Sequence, residues 1–395
     1  MKALNHNLLS GVAAIAVLTV AQPALAQSAD NEVSGGGNDG EIVVTARFKE
    51  ETLQDVPQAL SAFDERTLLK SAARDLTDLA PTTPNVSIQP VATFSNSAAI
   101  YIRGLGAQGI ESTEESPVGV SIDGVYVTRP VATMLDTFDM ERVEVLRGPQ
   151  GTSFGKNSLA GGIATYSKNP SGNFGVEAMA TAGNYGRLDA RVAVDVPLIR
   201  DQLALRVVAG QESLGGYFRN RVNGQSIGGQ DRFSVRGTLL FTPSESLSVN
   251  IKGWWLNDRS SAPGGDAAPD STKLLAIVFG FQEPNDGAFT IGRDFPANHD
   301  TDQYGLIGTI NAKMGAVNLT SITGYIKTDD FNDSDFDQSE KFFFPTFRVQ
   351  SHRQFSQELR LATDFSGMDG ALSRLNLVAG GYYMKQSFEM SQAFP

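Results

Sequence analysis

Gly151-Thr152-Ser153-Phe154-Gly155 fits G-x-S-x-G, the spacing that exposes a nucleophilic serine on a sharp strand-to-helix turn. That chemistry needs a histidine base and an α/β framework. Of the three histidines in the chain, His6 lies in an N-terminal leader, and His299 and His352 fall in or beside long loops. No α/β pattern surrounds Ser153, so the pentapeptide reads as a turn. Gly155-Lys156 is similar to the end of a phosphate loop, but Gly151 is one residue too close and Asn157 stands where Ser or Thr would hold magnesium. Asp333, Asp335, Asp337 and Glu340, with Asp329 and Asp330 nearby, repeat carboxylates at calcium-loop spacing without the glycine such a turn requires. The stretch 329–340 reads as a solvated acidic loop that could accept a divalent ion. With no cysteine, thiolate chemistry and disulfides are excluded. No catalytic residue, metal site or cofactor is assigned, and the chain is not expected to be an enzyme.

The elements around these residues point elsewhere. Lys2, the apolar run Leu8 to Val20 and Ala24-Leu25-Ala26 have the layout of a secretory signal peptide over 1–26. No later segment reaches 18 consecutive apolar residues, so any further membrane crossing must use strands. A formal charge of −12 argues against a nucleic-acid partner, whose phosphates need a basic surface. Residues 27–49 form a polar, Gly-rich linker interrupted by Glu41-Ile42-Val43-Val44-Thr45-Ala46, a short β-prone run. Residues 50–168 read as a compact α+β unit. Asp64 is the expected cap of a helix with Leu69, Ala72, Leu76 and Leu79 on one face and Pro81 beyond its end. Short strands broken by Gly and Pro follow.

From residue 169 to 395 the chain becomes long alternating segments. Leu188, Ala190, Val192, Val194 and Val196 share a face opposite Asp189, Arg191 and Asp195. The same parity groups Leu203, Leu205, Val207 and Ala209, then Phe233 to Phe241, Leu247 to Trp255, and Phe355 to Leu361. Val317 to Lys327 alternates less cleanly. Period 2 over about ten residues is what a tilted membrane strand needs. Connections near 197–202, 242–246 and 314–316 are tight, while 212–231, 259–301 and 331–351 are long. That two-sided asymmetry favours an outer-membrane barrel over a soluble sandwich. Trp254-Trp255 and Tyr382-Tyr383 lie near the external strand ends, where Trp255 and Tyr383 would anchor at the interface. The apolar stretch Leu274 to Phe281 inside a long loop has no account. About nine strands are expected. A barrel roomy enough for a plug needs about 22, so the chain is expected to be part of a longer protein.

In order, EIVVTA, IRGLG, VGVSIDGVYV, MERVEVLRGPQGTSFGKNSLAGGIATYSKNP and FSQELRLAT resemble a TonB-dependent outer-membrane receptor. The resemblance implies a transmembrane antiparallel β-barrel, incomplete here, with an N-terminal α+β plug domain over 50–168. It implies the outer membrane of a Gram-negative bacterium after signal-peptide cleavage. EIVVTA (41–46) resembles the TonB box, an extended segment that adds a strand to TonB, the partner in the inner-membrane energising complex. Membrane lipid and a scarce ligand are the other implied partners. The ligand is most often a ferric siderophore, with cobalamin and glycans open. Arg103 in IRG and Arg147 in LRG are plug charges that need partners inside a lumen. Glu358 points to the lumen by parity. Either it pairs with one or both arginines, or Arg360 or solvent satisfies it and the plug arginines pair within the plug.

Overall fold

The computed structural model describes residues 43–44, 51–52, 54, 56–91, 94–107, 115–129, 136–261, 287, 289–295, 297–335, 339–342, 344–363 and 377–394. The expected leader, most of the linker, Leu274 to Phe281 and Asp337 lie outside these residues.

The α+β unit holds two sheets. Strands β1 (Ala59–Asp64), β5 (Val118–Ile122), β6 (Val125–Val127), β7 (Met140–Arg147) and β8 (Gly161–Ser167) form one, in the order β1-β7-β8-β5-β6. Within it β8 and β5 run parallel, with Ile163 beside Val120. Strands β2 (Val86–Val91), β3 (Phe94–Ile102) and β4 (Leu105–Ala107) form an antiparallel meander. Between the sheets, Leu68, Leu76, Leu79, Ile102, Val143 and Ile163 are part of a buried apolar core.

The expected single helix is two short pieces. Helix α1 (Glu65–Lys70) is capped by the Asp64 carboxylate, which accepts from the Thr67 backbone N–H at 2.9 Å. It stops where Ala72 takes a left-handed φ of 50°. Asp75 then caps a fresh 3-10 turn over Leu76–Thr82, with Pro81 inside it. The break rotates the buried face, so Leu68 rather than Leu69 joins Leu76 and Leu79 in the core, and Leu69 is exposed.

Apart from the pair Val43–Val44 with Glu51–Thr52 and a small three-stranded sheet of Phe218–Asn220, Ser226–Ile227 and Thr290–Ile291, the remaining described strands make one antiparallel sheet of nine, each paired with its neighbour in sequence. They are β9 (Gly175–Gly183), β10 (Arg187–Ile199), β11 (Leu203–Leu214), β12 (Gln230–Ser244), β13 (Leu247–Asp258), β14 (His299–Met314), β15 (Val317–Asp335), β16 (Pro345–Thr363) and β17 (Val378–Ala393). One edge has the tight turns 200–202, 245–246 and 315–316, as expected. On the other edge, the long loop expected over 331–351 is mostly strand, because β15 runs to Asp335 and β16 starts at Pro345.

The sheet is inside out by the standard of a water-soluble protein. Along β10, Leu188 is 61% exposed and Val192 38%, while Asp189, Arg191 and Asp195 are 1%, 3% and 5% exposed. Val207, Ile251, Leu306, Ile310, Leu359 and Leu361 are likewise exposed. A contiguous apolar face of this extent marks contact with something other than water. On β10 to β13 the wall turns Asp189, Arg191, Asp195, Arg206, Arg236 and Lys252 toward the α+β unit.

Candidate functional site

The unit meets the wall through an apolar socket and a set of buried ion pairs. The hairpin of β5 and β6 turns through Asp123 and Gly124, both at positive φ. Its Ile122, Val125 and Val127 pack into one buried cluster with Ile307, Ile322 and Ile326 of the wall, and Trp254 lies against them. Gly324 leaves room for this contact: a Cβ there would lie 2.7 Å from the Val125 methyls. Gly305 does the same for Trp254, whose ring would be 2.0 Å from a Cβ. The weak alternation of 317–327 now has a physical cause. Ile322, Gly324 and Ile326 face inward because the lumen at that height is filled by an apolar hairpin rather than water.

Carboxylates of the unit then meet cations of the wall. Asp136 accepts from Arg191 Nε at 2.6 Å. Asp139, 1% exposed, accepts from Arg206 Nε at 2.7 Å and from Arg236 Nη2 at 2.7 Å. Lys252 Nζ donates to Asp123 at 2.8 Å and to the Ser167 carbonyl at 3.0 Å. Asp123 also accepts from the Ser167 backbone N–H at 2.9 Å, so one carboxylate joins hairpin, β8 and wall. Further wall charges neutralise the cations: Asp195 lies 2.7 Å from Arg206, and Glu212 3.1 Å from Arg191. At the end of β8, Lys168 reaches Glu65 of α1 and Glu177 of β9, the latter at 3.1 Å. Burial alone would lower its pKa, but the two carboxylates outweigh that and hold it above the usual lysine value. On the far side, Thr128 Oγ1 donates to Gln354 at 2.9 Å, and the Thr128 N–H donates to the same oxygen at 3.2 Å. A cavity of about 70 Å³, lined in part by Asp136, Phe138, Met140, Arg236 and Trp254, lies beside the ion pairs. That volume holds several waters.

The residues singled out from the sequence sit differently. Arg147 donates to the Pro84 carbonyl at 3.2 Å and to the Ala59 carbonyl at 3.5 Å, both within the unit. The Arg103 guanidinium lies over Gly148, at 3.0 Å from where a Cβ would be. Glu358 forms an ion pair with Arg360 at 3.0 Å, and among the described residues it forms none with Arg103 or Arg147. The reason is proximity on one strand: Glu358 and Arg360 are two residues apart on the same face of β16. Three unit acids, Asp123, Asp136 and Asp139, pair with wall bases, whereas Lys168 of the unit pairs with Glu177 of the wall. Of 41–46, only Val43 and Val44 are described. They pair antiparallel with Glu51–Thr52, and Val44 is fully buried. In the acidic stretch the carboxylates disperse to separate partners. Asp330 accepts from Gln350 at 2.7 Å, Asp333 from the Asn298 side chain at 2.9 Å, and Glu340 from Arg221 at 3.2 Å. Both later histidines are wall residues. His299 bonds Asp330 at 2.5 Å and His352 bonds Thr128 at 3.1 Å.

A family model described as the TonB-dependent receptor plug domain matches residues 52–162, a span that includes Asp123, Asp136 and Asp139. Residues 52–162 thus match the plug of TonB-dependent receptors, and the plug with its nine-stranded wall has the fold of such receptors. Over 218 residues it is 28% identical to the catecholate siderophore receptor Fiu of Escherichia coli O6:H1, covering 53% of this chain and 26% of that protein. It is 22% identical over 180 residues to the vitamin B12 transporter BtuB of Vibrio vulnificus, covering 45% and 28%. Among solved structures, the ferric yersiniabactin uptake receptor FyuA of Yersinia pestis superposes with a TM-score of 0.69 at 15% identity, over 86% of this chain and 50% of that one. The ferripyoverdine receptor of Pseudomonas aeruginosa gives 0.72 at 15% identity, over 90% and 46%. The chain thus matches about a quarter of the length of these curated relatives (26% and 28%).

Proposed function

We propose that this polypeptide belongs to an outer-membrane importer energised through TonB, with the plug as its gate. The observation that carries the reading is a plug held against charged wall residues while the wall's apolar residues face outward. A passive pore needs no such plug, and a soluble domain would not expose Leu188 and bury Asp189. The likeness to receptors named for catecholate siderophores, ferric yersiniabactin and ferripyoverdine supports a ferric siderophore as the ligand class.

Glu41 to Ala46 would supply the strand that TonB adds to its own sheet. Because Val44 is buried against Glu51–Thr52 here, that strand must leave its present partner before TonB can take it. The test is binding of the mature chain to the purified C-terminal domain of TonB, compared with a Val43→Pro variant. Proline removes an N–H and fixes φ, so strand addition should fail. Binding by the parent that the variant loses is the expected result. Equal binding by both, or none by a folded parent, would overturn the TonB assignment.

A further inference from the structure

Asn223-Gly224 is the single Asn-Gly pair in the chain. Glycine has no side chain to shield its nitrogen, so an asparagine before it is the one most open to attack by the backbone on its own side-chain amide. The pair lies in the turn between Phe218–Asn220 and Ser226–Ile227, which the Asn220 N–H closes by donating to the Gln225 carbonyl at 2.8 Å. Val222, Asn223, Gly224 and Gln225 are all exposed, and a Cβ at Gly224 would meet nothing within 4 Å. Water reaches the turn freely.

The turn also shapes the amide. Asn223 Oδ1 accepts from the Gln225 backbone N–H at 3.0 Å, and Asn223 Nδ2 donates to Gln225 Oε1 at 3.2 Å. An Asx turn of this kind curls the side-chain carbonyl back over the next peptide nitrogen, here that of Gly224, whose φ of 74° closes the loop. The Gln225 N–H therefore already points at the oxygen on which negative charge builds when the amide is attacked. Asn157 offers a contrast, because Ser158 follows it and its amide donates to Tyr126 Oη at 3.1 Å.

The hairpin that this turn closes also fastens two long connections together. Asn220, 2% exposed, donates to the Arg293 carbonyl at 2.8 Å and accepts from the Arg293 N–H at 3.1 Å. The Arg219 and Arg221 N–H groups donate to the Phe289 and Ile291 carbonyls at 2.8 and 2.9 Å. Arg221 is half-buried, with its guanidinium over Gly292.

We propose that Asn223 is a site of spontaneous modification whose product unfastens this small sheet. The Gly224 nitrogen bonds to Asn223 Cγ, the Cγ–Nδ2 bond breaks, and the amide leaves as ammonia with the proton from Gly224. Water then opens the resulting ring at either carbonyl, giving aspartate or isoaspartate. Isoaspartate carries the chain through Cγ, so the turn gains a backbone carbon. The added length pulls Gln225 away from Asn220 and breaks the register of Arg219 with Ser226.

The test holds the full chain, folded in detergent micelles, at mildly alkaline pH, then unfolds and digests samples with trypsin. Cleavage after Arg221 and Arg232 isolates 222–232, where Asn223 is the only asparagine, and 157–168 reports Asn157 in the same way. Mass spectrometry should show 222–232 converting from amide to acid while 157–168 stays unchanged. Resistance to a protease that cleaves before aspartate marks the isoaspartate. The folded chain should convert about fivefold faster than the chain in urea, the effect of one hydrogen bond on the attacked oxygen. Conversion no faster than in urea, or equal at Asn157, would overturn the site. Brief native trypsin treatment reads the consequence. The aged parent should be cut after Arg221, whereas Asn223→Gln, which cannot close the same ring, should stay protected after equal ageing. Fresh Asn223→Asp, which adds the charge without the backbone carbon, should stay protected too. Protection that survives ageing of the parent would overturn the unfastening, and cleavage of fresh Asn223→Asp would overturn its backbone cause.

Discussion

Asp139→Ala should loosen the seated plug by about 3–5 kcal/mol, the usual cost of removing one partner from a buried ion set. Asp139 is the shared acceptor of Arg206 and Arg236. Its removal leaves two guanidinium groups in the lumen with Asp195 as the nearest remaining carboxylate for Arg206. Trp254 provides the readout, because it packs against the plug hairpin and the only other tryptophan, Trp255, can be replaced by phenylalanine. In a urea titration, the Trp254 transition of Asp139→Ala should shift to lower denaturant while the strand signal of the wall stays in place. Adding Arg206→Met, Arg236→Met and Asp195→Leu should recover most of the loss, since apolar replacement of a whole buried ion set is often neutral or stabilising and Asp195 would otherwise lose its Arg206 partner. Arg200→Ala serves as a control, because Arg200 is 94% exposed beside an equally exposed Asp201 and surface changes of this kind cost little. A Trp254 transition that Asp139→Ala leaves unmoved would mean that the plug is held by the socket alone.

The socket itself should be sensitive to added volume. Gly324→Leu puts a side chain where Val125 now sits, and overpacking of this kind costs about 1–3 kcal/mol. Valine is stiff at χ1, so the hairpin must move as a body. The expected result is new protease cleavage within 118–127, together with a red-shifted Trp254 as its ring becomes wet. Gly308→Leu is the matched control. It lies on a wall strand where a Cβ would meet nothing within 4 Å, and it should leave both readouts unchanged. Intact protection of 118–127 in Gly324→Leu would show that the hairpin is not seated in this notch.

Part of this arrangement was legible in the sequence. Alternation along 188–196 placed Asp189, Arg191 and Asp195 on the lumen side, and the same parity set Arg236 and Lys252 inward. The nine strands of the wall followed from spacing and alternation. The plug's half of each ion pair was not legible. Asp123 precedes Gly124, and Asp136 and Asp139 flank Thr137-Phe138. Asp in such positions reads as a turn former, and only the fold shows that these turns press against the wall. Arg103 and Arg147 drew attention because charged residues in β-rich motifs stand out, yet Arg147 is satisfied by backbone carbonyls of the plug. The helix reading failed for a local reason. The apolar spacing of Leu69, Ala72, Leu76 and Leu79 is helical, but Asp75 competes as a cap and the chain restarts there. Ile322 and Ile326 broke the outward-apolar rule because the rule assumes a wet lumen.

The claim beneath all of this is that the wall's two faces are inverted, with lipid outside and a charged plug seat inside. The absence of native cysteine allows single cysteines to be placed at Val192, 38% exposed, and at Ala193, fully buried beside it. Each is labelled with an environment-sensitive fluorophore and the chain is inserted into phospholipid vesicles carrying a quencher on the acyl chains. The account predicts strong quenching at 192 and little at 193, a reversal between neighbouring residues. Equal quenching at both, or water-like emission at 192, would contradict it.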